Sequence, residues 1–187
     1  MRKKLVFSVL CLMILPGAIL YAASSPSEVS IYVNNVAQKQ LGKWSEEGVL
    51  LPADLISQNL NALMSLDETG KKVQIYKPNI NMVVLDDKGG IFGKIKSPSR
   101  IAFSTLVQVD NLKTEVSEIK LTITDPANKT ETVDTHQIKE QEDNFWFKSE
   151  EYTYSFNTKG TYTIQVYFKE AGSKKWSAVS EIQLFGF

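Results

Sequence analysis

The sequence predicts two modules in series, a small α+β unit over residues 28–78 and an all-β sandwich over residues 99–187. Three observations predict it. Between residues 28 and 78, strand-like alternation gives way to a stretch of helical spacing and then to a hairpin. After residue 98 nothing favours a helix, and apolar residues alternate with polar ones in strand after strand. Turn-forming clusters separate those strands at the spacing expected of a sandwich.

Ahead of both modules stands a leader. Arg2, Lys3 and Lys4 precede an apolar run from Leu5 to Leu20, broken only by Ser8, Pro16 and Gly17, and the small residues Ala22, Ala23, Ser24 and Ser25 follow. That order is the one of a secretory signal peptide, assigned to residues 1–23 with the cut between Ala22 and Ser25. Small residues in place of a stop-transfer pattern, and a helix interrupted near Pro16, argue against a permanent membrane anchor. Cys11, the only cysteine, leaves with this segment, so the exported part must be held by its cores without disulfides. The bulky Leu10 before Cys11 argues against lipid attachment there.

Within residues 28–78, Ile31 and Val33 alternate with polar neighbours and end at the turn pair Asn34-Asn35. Gly48 leads through Val49, Leu50 and Leu51 to Pro52, which suits a first helical position, with Asp54 near the helix's positive end. Leu55, Ile56, Leu60, Leu63 and Met64 then fall on one helical face. Leu66, the turn Asp67-Glu68-Thr69-Gly70, Val73 and Ile75 read as a closing hairpin. Ile31-Tyr32-Val33-Asn34, Val49-Leu50-Leu51-Pro52 before a helix, and the stretch from Leu66 to Ile75 together resemble the copper amine oxidase-like N-terminal domain, or stalk domain, of exported bacterial proteins. The resemblance implies a non-catalytic accessory module, not a copper site.

Residues 79–98 read as a linker with a short strand at 82–85 and a strong turn, Asp86-Asp87-Lys88-Gly89-Gly90. Beyond it, Ile101, Phe103, Val107 and Val109 share one parity. Ile119, Leu121 and Ile123 form a second row, Tyr152, Tyr154 and Phe156 a third, Tyr162, Ile164, Val166 and Phe168 a fourth, and residues 176–184 supply the last strand. Turns fall at Asp125-Pro126-Ala127-Asn128, Asn157-Thr158-Lys159-Gly160 and Ala171-Gly172-Ser173. Gly160-Thr161-Tyr162-Thr163-Ile164 resembles the tyrosine-corner segment of immunoglobulin-like domains, with Ile164 where antibody domains carry their second cysteine. That resemblance takes in residues 99–187, including Asn144-Phe145-Trp146-Phe147, and implies a fold without assigning an activity.

The exported part offers little to covalent chemistry. His136 is the only histidine and lies in the polar stretch Thr135-His136-Gln137, where an exposed residue is expected; multi-histidine and thiolate metal sites are ruled out by composition. Glu140, Glu142, Asp143, Glu150 and Glu151 cluster without any calcium-loop pattern and read as a solvated hairpin loop. Removing Arg2, Lys3 and Lys4 leaves 18 basic residues against 21 acidic ones, with Arg100 the one arginine, which argues against a nucleic-acid partner. The aromatics are the better lead. Alternation turns Trp146 away from Phe145 and Phe147, and Tyr167 away from the Tyr162–Phe168 row, so both are candidate binding residues. The sandwich core is the competing place for Trp146 and Trp176. The expectation is a secreted or cell-surface-associated, non-enzymatic protein of a Gram-positive-like bacterium, without cofactor or metal, whose partner is a cell-wall polymer or another exported protein. The alternatives are an extracellular hydrolase of wall glycan using the acidic cluster, and a secreted inhibitor or regulator of another exported protein.

Overall fold

A computed structural model of the chain describes residues 28–33, 35–66, 72–140 and 142–187. The leader and the turn at 67–70 lie outside the described residues. The first module contains β1 (Glu28–Val29), β2 (Tyr32–Val33), β3 (Val36–Ala37), β4 (Gly42–Ser45), β5 (Gly48–Leu50), α1 (Ala53–Asn59), β6 (Leu63–Leu66) and β7 (Val73–Tyr76). β2 and β3 pair across positions 34–35, with Asn35 at φ 64° as a two-residue hairpin demands. β1, β4 and β5 form a three-stranded sheet, and β6 pairs with β7.

The helix is shorter than its apolar spacing predicts. Pro52 caps it from outside instead of opening its first turn, and Asp54 does sit in that turn. At the other end Asn61 adopts φ 53°, and the Ala62 N–H reaches back to the Ser57 carbonyl (2.9 Å) while Ser57 Oγ donates to the Ala62 carbonyl (2.6 Å). This Schellman-like stop uses asparagine, the commonest substitute for glycine in the left-handed region. Leu60 is consequently exposed, and Leu63 and Met64 leave the helix for β6, where Leu63 is buried against the sandwich.

The sandwich has two sheets. One holds β8 (Asn79–Asp86), β10 (Ser99–Asp110), β13 (Phe145–Lys148) and β14 (Tyr152–Phe156), with β13 and β14 end to end along one edge of β10 and β8 along the other. The other runs β12 (Thr130–Gln137), β11 (Val116–Thr124), β15 (Gly160–Glu170), β16 (Trp176–Gly186) and β9 (Lys94–Ile95), antiparallel except where β9 lies parallel to β16. Residues 79–98 are therefore no linker. β8 pairs with β10 from Asn79↔Asp110 to Asp86↔Phe103, turns at Asp86, whose Oδ1 accepts from the Lys88 and Gly90 N–H groups, and crosses to the second sheet as β9. Ile80, Met82 and Val84 supply its inward row.

Between the sheets Phe103, Val107 and Val109 of β10 meet Ile119, Leu121 and Ile123 of β11 and Tyr162, Ile164, Val166 and Phe168 of β15, all within 1 % of complete burial. Phe156 packs edge-on to Tyr162 at 4.9 Å. Ile164 fills the position of the missing cysteine with apolar contact. The Tyr162 hydroxyl donates to the Thr158 carbonyl (2.7 Å) and accepts from the Thr158 N–H (3.0 Å), closing a tyrosine corner. Strand order and corner together make this an immunoglobulin-like β-sandwich. Neither Trp146 nor Trp176 is in its core, because Phe103, Phe156, Tyr162 and Phe168 already fill it.

Candidate functional site

Trp146 owes its position to the pleat. Phe147 turns inward and is buried, so Trp146 stands on the outer face, 64 % exposed. Cross-strand register sets its surroundings: Gln108 is directly opposite it on β10 and Asn81 opposite Gln108 on β8, while Lys148, Leu106 and Val83 make the next row. Asn81, Met82, Val83, Leu106, Gln108 and Trp146 line a shallow groove of about 230 Å³. Gln108 Nε2 donates to Asp110 Oδ2 (2.8 Å), which orients its amide beside the indole.

Tyr167 lies on the outer face of the other sheet, so the two residues singled out by alternation do not form one site. Its ring is half-buried, its hydroxyl donates to Gln165 Oε1 (2.9 Å), and Lys120 Nζ sits 5.0 Å from its centroid and 4.4 Å from that of Trp176. Lys169 Nζ, held by Glu118 at 2.5 Å, also approaches Trp176. Burial pushes the Lys120 amine below its ordinary value and the Tyr167 phenol above its own. The first module closes over this patch. Ser57, Gln58 and Ala62 face Tyr167, Trp176 and Ala178 across a recess of about 230 Å³, and Asp54 pairs with Lys175 at 3.2 Å. Tyr167 is thus part of a junction between modules, not a free platform.

His136 is exposed on β12, with its ring 5.1 Å from that of Phe147. The acidic residues are divided by β13, whose four residues span about 13 Å. Asp143 pairs with Lys113 (2.8 Å) before it, and Glu150 and Glu151 share an open recess with Asp86, Asp87 and Lys148 after it. Among the described residues no three His, Cys, Asp or Glu side chains come together as a cation site.

A third recess, of about 360 Å³, opens where the free edges of β12 and β14 face each other. Asp125, Lys129, Glu131, Tyr154, Asn157 and Tyr162 are among its lining residues. Periodicity did not mark it, since its groups come from two turns and two edge strands far apart in the chain.

No family model matches the chain, and no curated protein sequence matches it. Among solved structures, the chain is similar to the CARDB domain of a Pyrococcus furiosus protein, determined in complex with di-metal ions. Identity is 9 %, the TM-score is 0.32, and the match covers 59 % of this chain and 90 % of that one. A likeness so slight carries no argument; the immunoglobulin-like character of the sandwich stands on its own strand order and tyrosine corner.

Proposed function

We propose that this is an exported, non-catalytic protein that presents a binding surface at the cell envelope, toward wall polymer or another exported protein. Trp146 carries the reading. Leaving so large an aromatic side chain in water forgoes roughly 2 kcal/mol of burial, and an indole held open on the face of a paired sheet is a ready contact. The amides of Gln108 and Asn81 lie in line with the ring, and Val83 and Leu106 line the groove. A pyranose can stack its C–H face on such an indole while its hydroxyls reach the amides, so wall glycan is placed ahead of protein as partner.

The first module serves as spacer or second contact. Its resemblance to the copper amine oxidase-like N-terminal domain, and removal of a leader near Ala22 to Ser25, belong to the same proposal. Co-sedimentation with purified cell wall tests it: the protein pellets with the wall, and Trp146→Ala stays in the supernatant with unchanged thermal unfolding. Equal pelleting of the variant removes Trp146 from the function. Failure of both to pellet, joined to Trp146-dependent capture of a secreted protein, transfers the face to a protein partner.

A further inference from the structure

The recess between β12 and β14 contains an unmet set of hydrogen-bonding groups. Two tyrosines line it, Tyr154 and Tyr162, with Tyr152 next to Tyr154; Tyr162 is satisfied by Thr158, and Tyr152 by donating to Glu131 Oε2 at 3.1 Å. Tyr154 is not. It is 8 % exposed, its ring is fixed by edge contacts with Phe156 (4.9 Å) and Tyr162 (6.0 Å), and its hydroxyl has no hydrogen-bond partner among the described residues although it lines the recess. Its ring is held by packing while its hydroxyl opens into the recess without a described protein partner, which leaves it ready to donate and accept toward a ligand.

Its neighbours define what that ligand is. Lys129 is spent on Glu131 (2.7 Å), so these two charges cancel. Asp125 Oδ1 accepts from the Ala127 and Lys129 N–H groups (2.9 and 2.8 Å), which leaves Oδ2 as an acceptor without a described partner. Asn157 adds an amide, and Thr153 and Ser155 add hydroxyls at the rim. The uncancelled charge is the single negative one of Asp125, which repels anions and favours hydroxyl donors. The volume is at the lower end of small-molecule sites, roughly 300–1,000 Å³. Clustered hydroxyls that both donate and accept, carried on a compact neutral ring, answer these groups.

We propose that this recess binds a single saccharide ring of a neutral glycan, with its hydroxyls donating to Asp125 and exchanging hydrogen bonds with Tyr154 and Asn157. The site is distinct from the Trp146 face and rests on the proposed function only for the choice of probes.

The test is a titration of isotope-labelled protein, followed by amide shifts, with a tetramer of N-acetylglucosamine, cellotetraose and a tetramer of galacturonate. The two neutral oligosaccharides, or one of them, shift residues 125–131 and 153–158, and the anionic one does not. Tyr154→Phe, which keeps the ring and its packing, weakens the binding about fivefold to tenfold, the worth of one neutral hydrogen bond; Asp125→Asn weakens it as well, and Trp146→Ala leaves these shifts unchanged. The proposal is overturned if no neutral oligosaccharide moves these residues, if Tyr154→Phe binds as tightly as the native protein, or if the shifts appear only around Trp146, a result that spares the proposed function. Binding of an extended peptide along the free edge of β14 in place of sugar also overturns it.

Discussion

Tyr162 and Tyr154 allow the same substitution to be made twice, with opposite expected results. Each is buried between the sheets, to 1 % and 8 % exposure, and each packs on Phe156 at 4.9 Å. Changing either to Phe retains the ring, so the cavity term that dominates Tyr→Ala losses is absent. What differs is the hydroxyl. In Tyr162→Phe two hydrogen bonds to Thr158 disappear, at 2.7 and 3.0 Å. At about 0.5–1.5 kcal/mol each, and with Thr158 itself exposed to water that can take up part of the loss, the cost is about 1–2.5 kcal/mol. For a chain of this size that is a fall in Tm of roughly 3–8 °C. Tyr154→Phe removes a hydroxyl without a described partner and should be neutral or stabilising, within about 0.5 kcal/mol. Urea unfolding of both variants measures the pair, with an unchanged m-value confirming that the native and denatured states are comparable. Equal midpoints for the two variants would falsify the assignment of Tyr162 as the corner that pins residues 157–160.

Three further predictions follow from other parts of the molecule. Burial pushes the Tyr154 phenol from 10.0 up to about 12, so its neutral form is the one the fold favours; the stabilisation is complete below pH 10 and is lost as pH rises from 10 toward 12, on the order of 2 kcal/mol. Urea midpoints across that window should fall less steeply for Tyr154→Phe than for the native protein, and identical slopes would refute the burial argument. Gly160 has φ +132°, and a Cβ there would lie 3.0 Å from Pro126 Cβ, so Gly160→Ala should destabilise by about 1–3 kcal/mol in thermal unfolding. Asp54→Asn breaks the ion pair with Lys175, but both side chains are more than half exposed, so the loss should stay below about 0.5 kcal/mol; a larger one would mean that this pair governs how the modules dock.

The β rows of the sandwich were legible because a strand has a period of two and one buried face. Ile119, Leu121 and Ile123, or Tyr162, Ile164, Val166 and Phe168, can turn apolar atoms from water only by sharing a side. The same pattern brought Trp146 and Tyr167 out of the core. It did not reveal their fates, since exposure depends on what covers the outer face: nothing described covers Trp146, whereas Lys120, Trp176 and the first module cover Tyr167. The helix failed for a local reason. Leu63 and Met64 continue its apolar spacing, and only the left-handed turn at Asn61 hands them to a strand.

The residue order alone determined the inward rows and the segment of the tyrosine corner, both of which follow from the side-chain period and turn chemistry of neighbouring residues. Tertiary structure alone decided that residues 79–86 complete the first sheet, that Trp146 and Tyr167 lie on opposite faces, and that Asp125, Tyr154 and Asn157 share one recess. The physical reason is that hydrogen-bond partners and cover are supplied by strands distant in the chain, and a period read along one strand carries no information about which other strand will lie beside it.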